Sequence, residues 1–380
     1  MFLRAMHRLA PRFAGAADIA VLMPLLLALE RSGCVEGRVA LVGTGVAYVT
    51  SSMMFRIPMP VQPLKSLAVL ALSAGASASE MRLAGLILGA GFLTLAFGGV
   101  EKFLARCPFA IVHALQLGLA VLLLGQASRM AIADGGSTIA TASVLVLAVL
   151  GAIVLEKRAG FPVIAALTVA TVMTGLVSRD ATSAPISHHL SDGAAPRWGL
   201  IATMVLTQIP LTLGNSVLGT HAAARAYFGD AAHRVTPRRL LLSMGAGNVV
   251  AALLGGLPFC HGSGGLTAHV RAGAREPLAT ALFGLLLIVA GFALGPQVFA
   301  ALPRFGLAML LALTAVHHAT LARPSLEDPA LRLSMVAGAA MSAFTGNLLA
   351  GVLAFAAFAW LAARFKGGSG VAVRWNGRAP

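Results

Sequence analysis

The chain has 380 residues, of which 58% are hydrophobic and only 11% are charged, and its mean hydropathy is +0.86. This composition excludes an ordinary soluble globular protein and indicates an integral membrane protein. The formal charge of +15 does not indicate nucleic-acid binding, because a chain of this hydropathy carries its Lys and Arg residues mainly in the loops between membrane segments.

Apolar segments suited to crossing a bilayer recur along the chain, and we count about 14, several of them interrupted. The charge-free windows are 107–128, 135–155, 159–178, 198–224, 240–270, 277–303, 305–322 and 333–363. Shorter or interrupted windows lie at 19–29, 39–55, 66–79 and 83–100. The sequence therefore predicts an all-α polytopic membrane protein.

The distribution of positive charge predicts that both termini are cytoplasmic. With that orientation 20 Lys and Arg residues lie on the inner side, seven on the outer side and Lys65 within the membrane. The seven outer residues are Arg31, Arg38, Arg82, Arg129, Arg179, Arg197 and Arg304. The basic N-terminus resembles a signal peptide, but Asp18 and Pro24 within its apolar part favour a retained first helix. We expect a multi-pass protein of a cell inner (plasma) membrane.

A proline-rich stretch, residues 57–66, interrupts the apolar pattern with the sequence IPMPVQPLKS. Proline lacks a backbone N–H and pushes the preceding residue towards an extended conformation. We expect an extended run and then a half-length helix of about a dozen residues, with Gln62 at its cap and Pro63 at its first position. Lys65 would then lie in the first turn, where a cation suits a protein that holds an anion. A lysine that extends to the membrane interface is the alternative.

Four apolar-Pro-apolar signatures, at Pro24, Pro58, Pro210 and Pro258, indicate an internal repeat. Pairing Pro24 with Pro210 gives an offset of 186 residues, and pairing Pro58 with Pro258 gives 200. Both offsets are close to half the chain, so two halves of seven segments would have opposite orientations in the membrane. Pairing Pro58 with Pro210 gives 152 and is rejected because it leaves unequal halves.

Residues 257–266, LPFCHGSGGL, are the counterpart of the proline-rich stretch in this repeat. Gly262, Gly264 and Gly265 let a ligand approach backbone N–H groups, and each costs an uninterrupted helix about 1 kcal/mol. We expect two half-helices, one from each repeat, whose N-termini face a shared anion site near the bilayer midplane.

Several polar groups within apolar segments are candidates for this site. Gln208, Thr212 and Asn215 have the spacing of one helix face, although hydrogen bonding between helices is the alternative explanation. Asp18 is a functional candidate because carboxylates within membrane segments are rare. A position near the cytoplasmic end, paired with Arg12, is its alternative.

Among the histidines, His261 is the best candidate because it opens the glycine-rich stretch. The histidines that we expect at interfaces or in packing are His113, His269, His317 and His318. His188 and His189 are a weak metal signal in an outer loop. Gly85 and Gly89 have the spacing of close helix packing. The scattered Cys34, Cys107 and Cys260 imply no disulfide framework, and no enzyme site, metal or cofactor is predicted.

Three blocks of the sequence resemble the molybdate transporter family of bacteria and plants, within the sulfate permease and anion exchanger superfamily. They are PMPVQPLK at 58–65, PLTLGNS at 210–216 and PFCHGSGG at 258–265, and AHVRAGAR at 268–275 also fits. The resemblance extends over nearly the whole chain. One departure is Ala17-Asp18-Ile19-Ala20, where the family reads Gly-Asp-Leu-Gly, so the aspartate is kept and both glycines are lost.

The resemblance implies a core domain that rocks against a gate domain and a tetrahedral oxyanion as substrate. The implied core parts are 14–98 and 198–295, the gate parts are 108–178 and 298–363, and 364–380 is a short cytoplasmic tail. Sulfate permeases usually add a cytosolic STAS domain after the last helix. No such domain is expected in this short tail, which favours the molybdate branch.

We therefore predict a secondary active transporter of molybdate or sulfate that works by alternating access, with proton symport as an option. The predicted substrate-binding residues are Gln62, Lys65, Ser66, Asn215, His261, Gly262, Ser263, Gly264 and Gly265. Proton coupling would fall to Asp18 or His261. The expected partners are a small inorganic oxyanion and the lipid bilayer, not nucleic acid, and a homodimer is left open.

Three alternative functions stay open: another transporter, a membrane enzyme and a channel. A nucleobase permease of the same fold typically holds its base with a membrane carboxylate, and the only carboxylate between Arg197 and Arg271 is Asp230, in an expected cytoplasmic loop. A membrane enzyme acting on a lipid phosphate would need clustered histidines, arginines and acids at one interface, which the sequence lacks. An anion channel is not distinguishable from a carrier by sequence.

Overall fold

The computed structural model describes residues 15, 17–98, 109–132, 150–151, 154, 195–293 and 304–365, and these residues are predominantly helical. The first half contains α1 (Ile19–Arg31), α2 (Gly37–Phe55), β1 (Gln62–Pro63), α3 (Lys65–Ala74), α4 (Ala78–Phe97) and α5 (Phe109–Ile132). The second half begins with α6 (Trp198–Leu211), a π-helical segment (Thr212–Gly219), α7 (Thr220–Phe228), a 3₁₀ turn (Gly229–Arg234) and α8 (Pro237–Leu254). It continues with β2 (Phe259–Cys260), α9 (Ser263–Arg271), α10 (Leu278–Ala293), α11 (Arg304–Leu321), α12 (Arg323–Glu327), α13 (Arg332–Thr345) and α14 (Leu348–Phe365).

The predicted all-α polytopic class is confirmed. Three helical stretches among the described residues are long and apolar enough to span a membrane: Ala78–Phe97, Ala110–Ile132 and Trp198–Arg234. Large apolar side chains such as Met53 and Phe344 are exposed on the surface, as expected of side chains that contact the hydrocarbon of a bilayer. Most of the predicted segments 135–155 and 159–178, together with His188, His189 and the tail after residue 365, lies outside the described residues.

The half-helix predicted from the proline-rich stretch is present as α3, but it begins two residues later than predicted. Leu64, not Gln62, is the N-cap, and Lys65 is the first helical residue. The reason is tertiary, because Gln62 and Pro63 pair with β2 and the Leu64 N–H donates to the Pro258 carbonyl at 3.0 Å. These backbone contacts keep residues 62–64 extended.

The two strands form a buried antiparallel pair, with Gln62 opposite Cys260. We call this pair the strand crossing. The half-helix α3 follows β1 and the half-helix α9 follows β2, so neither 57–75 nor 257–273 is a continuous helix. Lys65 and Ser263, which begin these helices, are 198 residues apart, close to the offset between the two proline signatures. Antiparallel pairing of equivalent strands is what an inverted repeat predicts.

Equivalent helix pairs on the two sides of this crossing pack through glycine. Helix α2 packs along α10 and α4 packs along α8. A Cβ on Gly284 would lie 2.6 Å from the Gly45 carbonyl oxygen, and one on Gly89 would lie 2.9 Å from the Gly245 carbonyl oxygen. Gly45 and Gly245 are 200 residues apart, so the repeat extends to the packing. The close-packing interpretation of Gly89 is confirmed.

Replacing Gly89 by alanine tests this packing. The new methyl group would lie 2.8 Å from the Val249 backbone nitrogen, so α4 and α8 must separate, at an expected cost of about 1–3 kcal/mol. Gly91→Ala is the matched control, because its methyl group meets no atom within 4 Å and alanine favours the helix by about 0.5–1 kcal/mol. Thermal unfolding in detergent should show a lower Tm for Gly89→Ala only. Equal Tm values would contradict the packing argument.

Candidate functional site

A cavity of about 150 Å³ lies beside the starts of the two half-helices, between α1, α3, α9 and α11. Its polar lining residues are Asp18, Gln62, Lys65, Asn215, Thr267, Arg271, Thr314, His317 and His318. The backbone of Gly264 also borders it, and apolar residues such as Leu310 and Leu313 complete the wall. The volume is enough for a small ion with a few water molecules.

Lys65 is buried at the edge of this cavity, with 8% of its surface exposed. Its Nζ donates to the Gln62 Oε1 at 2.7 Å, so the side chain bends along its own helix and does not extend to an interface. None of the ion pairs in the described part of the chain involves Lys65. A buried cation without a carboxylate partner is costly, and a bound anion beside the α3 N-terminus would offset that cost.

The Asp18 carboxylate is buried and is contacted from three directions. The Gln62 Nε2 donates to its Oδ1 at 2.5 Å, the Tyr48 hydroxyl donates to its Oδ2 at 2.5 Å, and the His269 Nε2 lies 3.0 Å from the same oxygen. These contacts use most of the acceptor capacity of an ionised carboxylate. Asp18 therefore fixes the positions of its neighbours and offers little to a bound cation.

Both ring nitrogens of His269 face acceptors. Its Nδ1 lies 3.1 Å from the Pro58 carbonyl oxygen, and its Nε2 faces the Asp18 carboxylate. The charged imidazolium is the form that donates to both. A continuous polar chain then runs from Lys65 through Gln62 and Asp18 to His269, and it joins the half-helix of one repeat to that of the other.

Two glycines of α9 make room for side chains from elsewhere in the fold. A Cβ on Gly265 would lie 2.5 Å from the Gln62 Nε2 and 2.9 Å from the Asp18 Oδ1. A Cβ on Gly264 would lie 2.6 Å from the His317 Nε2. The sequence predicted that glycine admits a ligand to the backbone, whereas at Gly265 it admits the Gln62–Asp18 pair.

Polar side chains of α6 and of the π-helical segment that follows it contact the two half-helices. The Gln208 Oε1 accepts from the Leu67 N–H of α3 at 3.2 Å, and the Asn215 Oδ1 accepts from the Ser263 hydroxyl of α9 at 2.6 Å. Gln208 also donates to Thr212 at 3.0 Å, so these two share a face as predicted. Asn215 points to the other half-helix, because a π-helix widens the turn and shifts the side chains that follow.

Some of the predicted site residues line the cavity, and others are not part of its lining. Gln62, Lys65, Asn215, Gly264 and Asp18 line the cavity, whereas Ser66, His261, Gly262, Ser263 and Gly265 do not. Ser66 is hydrogen-bonded to Thr207 at 2.9 Å. His261 contacts the Ser243 hydroxyl at 2.9 Å and the Pro60 carbonyl at 2.8 Å, so both of its ring nitrogens have neutral partners.

Six residues of the cavity lining have a helical spacing that the sequence analysis did not use. Thr267 and Arg271 follow Gly264 at helical spacing and lie with it on the cavity face of α9. Thr314, His317, His318 and Leu321 form the same pattern on α11. His317 and His318 had been expected in packing or at an interface, and periodicity alone does not tell a cavity face from a packed one.

Crossed strands, two half-helices and a cavity between the repeats define a polytopic membrane protein with the fold of known anion transporters. The solved structure of SLC26A9 has a TM-score of 0.62 at 14% identity and covers 94% of this chain, which spans 65% of that chain. Murine Slc26a9, an anion transporter in the inward-facing state, has a TM-score of 0.64 at 14% identity, covering 94% of this chain and 68% of that one. The transmembrane domain of a cyanobacterial bicarbonate transporter, BicA, has a TM-score of 0.57 at 16% identity, covering 93% and 96%. At these identities the likeness establishes the fold alone.

The chain belongs to the family described as "Molybdate transporter of MFS superfamily", whose profile matches residues 13–123 and 201–317. Molybdate transporter 2 of Arabidopsis thaliana is 24% identical over 81% of this chain and 77% of its own length. Molybdate transporter 1 of Chlamydomonas reinhardtii is 32% identical over 40% of this chain and 32% of its own length.

Removing the Tyr48 hydroxyl tests the network around Asp18. Tyr48→Phe keeps the edge-on ring contact with Phe283 but deletes one donor to the buried carboxylate, at an expected cost of about 1–3 kcal/mol. Tyr227→Phe is the control, because the Tyr227 hydroxyl is at the surface and should change stability by less than about 0.5 kcal/mol. Thermal unfolding in detergent measures both. A Tyr48→Phe protein as stable as wild type would show that Asp18 does not depend on this hydroxyl.

Proposed function

We propose that the chain is a secondary transporter that carries a tetrahedral oxyanion, molybdate or sulfate, across a membrane by alternating access. The observation that carries the proposal is the buried Lys65, which borders a cavity at the start of a half-helix and is in no ion pair with a carboxylate of the described residues. The family and the printed names of its relatives support molybdate as the substrate.

The charge around the cavity is positive, as binding of a dianion requires. A helix N-terminus is equivalent to about half a positive charge, so the starts of α3 and α9 together with Lys65 supply about two positive charges. Arg271, an exposed residue of the cavity lining, adds to this positive charge. The Asp18–His269 ion pair adds no net charge when the imidazolium is protonated. Asn215 and Thr267 add hydrogen-bonding groups that suit oxyanion oxygens.

Alternating access would arise from movement of the gate domain against the core domain. We assign 14–98 and 198–295 to the core, and 108–178 and 298–363 to the gate. Helices α5 and α11 pack together, and His318 of α11 is hydrogen-bonded to Gln116 of α5, which supports treating them as one body. The cavity has core residues on one side and α11 on the other, so relative movement would open it to either face of the membrane. We also propose cytoplasmic termini and a plasma-membrane location.

Lys65→Gln tests the role of the buried cation. It removes the charge-assisted hydrogen bond that Lys65 would make to the bound anion, worth about 1.5–3 kcal/mol, so uptake at low substrate concentration should fall by about tenfold or more. The measurement is uptake of labelled molybdate and sulfate into proteoliposomes, with Arg323→Gln as the control because Arg323 is at the surface in an ion pair with Glu327. Wild-type uptake by the Lys65→Gln protein would remove the support for this site.

The same assay separates the alternative functions. Wild-type protein that accumulates neither anion above empty vesicles would overturn the proposal. Competition by uracil would indicate a nucleobase permease, and uphill accumulation of anion under a proton gradient would exclude a channel.

We further propose that Asp18, together with His269, couples transport to protons. Of the two candidates from the sequence, Asp18 borders the cavity, whereas the ring of His261 has neutral partners on both nitrogens. In Asp18→Asn protein an acid-outside gradient should no longer increase molybdate accumulation, because the side chain cannot take up a proton. Asp230→Asn, at an exposed position, is the control.

Exchange of labelled for unlabelled molybdate without a gradient measures the transport that the Asp18→Asn protein retains. An unchanged response to the gradient would contradict the coupling role. If the Asp18→Asn protein lost both exchange and accumulation, Asp18 would instead be assigned to substrate binding.

A further inference from the structure

A second cavity, of about 790 Å³, forms a groove on the surface between α2 and α8 and shares no lining residue with the proposed anion site. Its walls are mainly apolar and include Val42, Gly43 and Val46 of α2 and Ala246, Val250 and Leu254 of α8. Arg38 lies at one end of the groove and Met54 at the other.

The groove follows from how the neighbouring helices pack. Helix α2 lies along α10 and α8 lies along α4, whereas α2 and α8 make few contacts with each other. At the end near Arg38 the Glu36 N–H donates to the Gly255 carbonyl at 3.2 Å and closes the gap. A Cβ on Gly43 would meet no atom within 4 Å, so open space lies directly beside α2.

The groove is suited to hydrocarbon and not to water. Val250, Leu254 and Phe292 at its rim are 54%, 64% and 67% exposed, as expected on a surface that contacts lipid. Its hydroxyl groups have partners within the protein, since Thr50 donates to the Val46 carbonyl at 2.9 Å and Ser243 contacts the His261 ring at 2.9 Å. The hydroxyl groups of the groove lining are therefore not free to hold ordered water.

The charge at one end of the groove indicates the headgroup of the lipid. Arg38 is exposed, and no hydrogen bond or ion pair of its guanidinium group is present in the described part of the chain. Glu36 caps α2 by accepting from the Arg38 and Val39 N–H groups, so the guanidinium is the group left for a ligand. Arginine binds phosphate oxygens in a two-pronged contact.

The groove is long enough for one acyl chain. At 1.5 Å per helical residue, its ends at Arg38 and Met54 are about 24 Å apart along α2, and the part from Arg38 to Thr50 is about 18 Å long. One leaflet of a bilayer contributes about 15 Å of hydrocarbon. We propose that the groove between α2 and α8 binds one acyl chain of an anionic phospholipid whose phosphate contacts Arg38.

The bound chain would contact the back of the strand crossing. Phe259 of β2 and Ser243 of α8 form part of the groove lining. Ser243 contacts the His261 ring, whose other nitrogen contacts the Pro60 carbonyl ahead of β1. The lipid therefore lies against the residues that hold the two half-helices together.

Native mass spectrometry of the detergent-purified protein tests the proposal, with phosphatidylglycerol and phosphatidylethanolamine of the same acyl composition added. Wild-type protein should retain one phosphatidylglycerol per chain in preference to phosphatidylethanolamine. Gly43→Leu fills the open space and should weaken retention by about tenfold, equivalent to about 1.4 kcal/mol. Gly91→Leu, at a helical glycine of α4 that is equally open, should retain lipid as wild type does. Arg38→Gln should bind both lipids equally.

Four outcomes would overturn the proposal. The first is that Gly43→Leu protein retains as much lipid as wild type, and the second is that Gly91→Leu protein loses as much lipid as Gly43→Leu protein. The third is that wild-type protein binds the two lipids equally. The fourth is that Gly43→Leu converts a dimer to a monomer and leaves lipid retention unchanged. The last result would mean that a second copy of the chain fills the groove. Ala246→Leu, which fills the groove from the opposite wall, replaces Gly43→Leu if that protein does not fold.

Discussion

The antiparallel pairing of β1 and β2 is the constraint on which the rest of the structure depends. A helix that breaks inside a membrane protein leaves backbone groups that lipid cannot satisfy. The described residues satisfy them with tertiary contacts: the Asn248 amide bonds both the N–H and the carbonyl of Phe259, and His261 and His269 bond the carbonyls of Pro60 and Pro58. Each broken segment therefore depends on side chains from elsewhere in the chain, and the crossing forms as a unit.

The two repeats contribute unlike parts to this unit. Prolines in the first repeat hold the path to β1 extended and leave carbonyls without a helical partner. In the second repeat, Gly264 and Gly265 leave room at the start of α9 for Gln62, Asp18 and His317. The first repeat thus supplies Gln62 and Asp18, and the glycines of α9 in the second repeat supply the space that these two side chains occupy. Neither half-helix would have this environment without the other.

The sequence predicts the broken helices because proline and glycine act locally, and it predicts Lys65 because a lysine in an apolar segment is conspicuous. It does not predict that α3 begins at Lys65 instead of Pro63, since that depends on pairing with a strand about 200 residues away. It also favours His261 over His269, although the two lie in one short segment. His261 lies between β2 and α9 and faces the Pro60 carbonyl, whereas His269 lies on α9 and faces Asp18; local pattern carries no information on how these elements are placed against α1.

The alanines on either side of Asp18 bear on the choice between the two proposed dianions. Ala17 and Ala20 line the cavity where related sequences are expected to have glycine, and Val21 and Leu313 add to the apolar wall. An ion entering such a cavity gives up most of its hydration, and the Born cost of that loss is greater for a smaller ion of the same charge. The apolar wall also strengthens the attraction to Lys65, and more so for the smaller ion, which approaches more closely. The cost of removing water and the attraction to Lys65 therefore act in opposite directions on the choice between the two dianions.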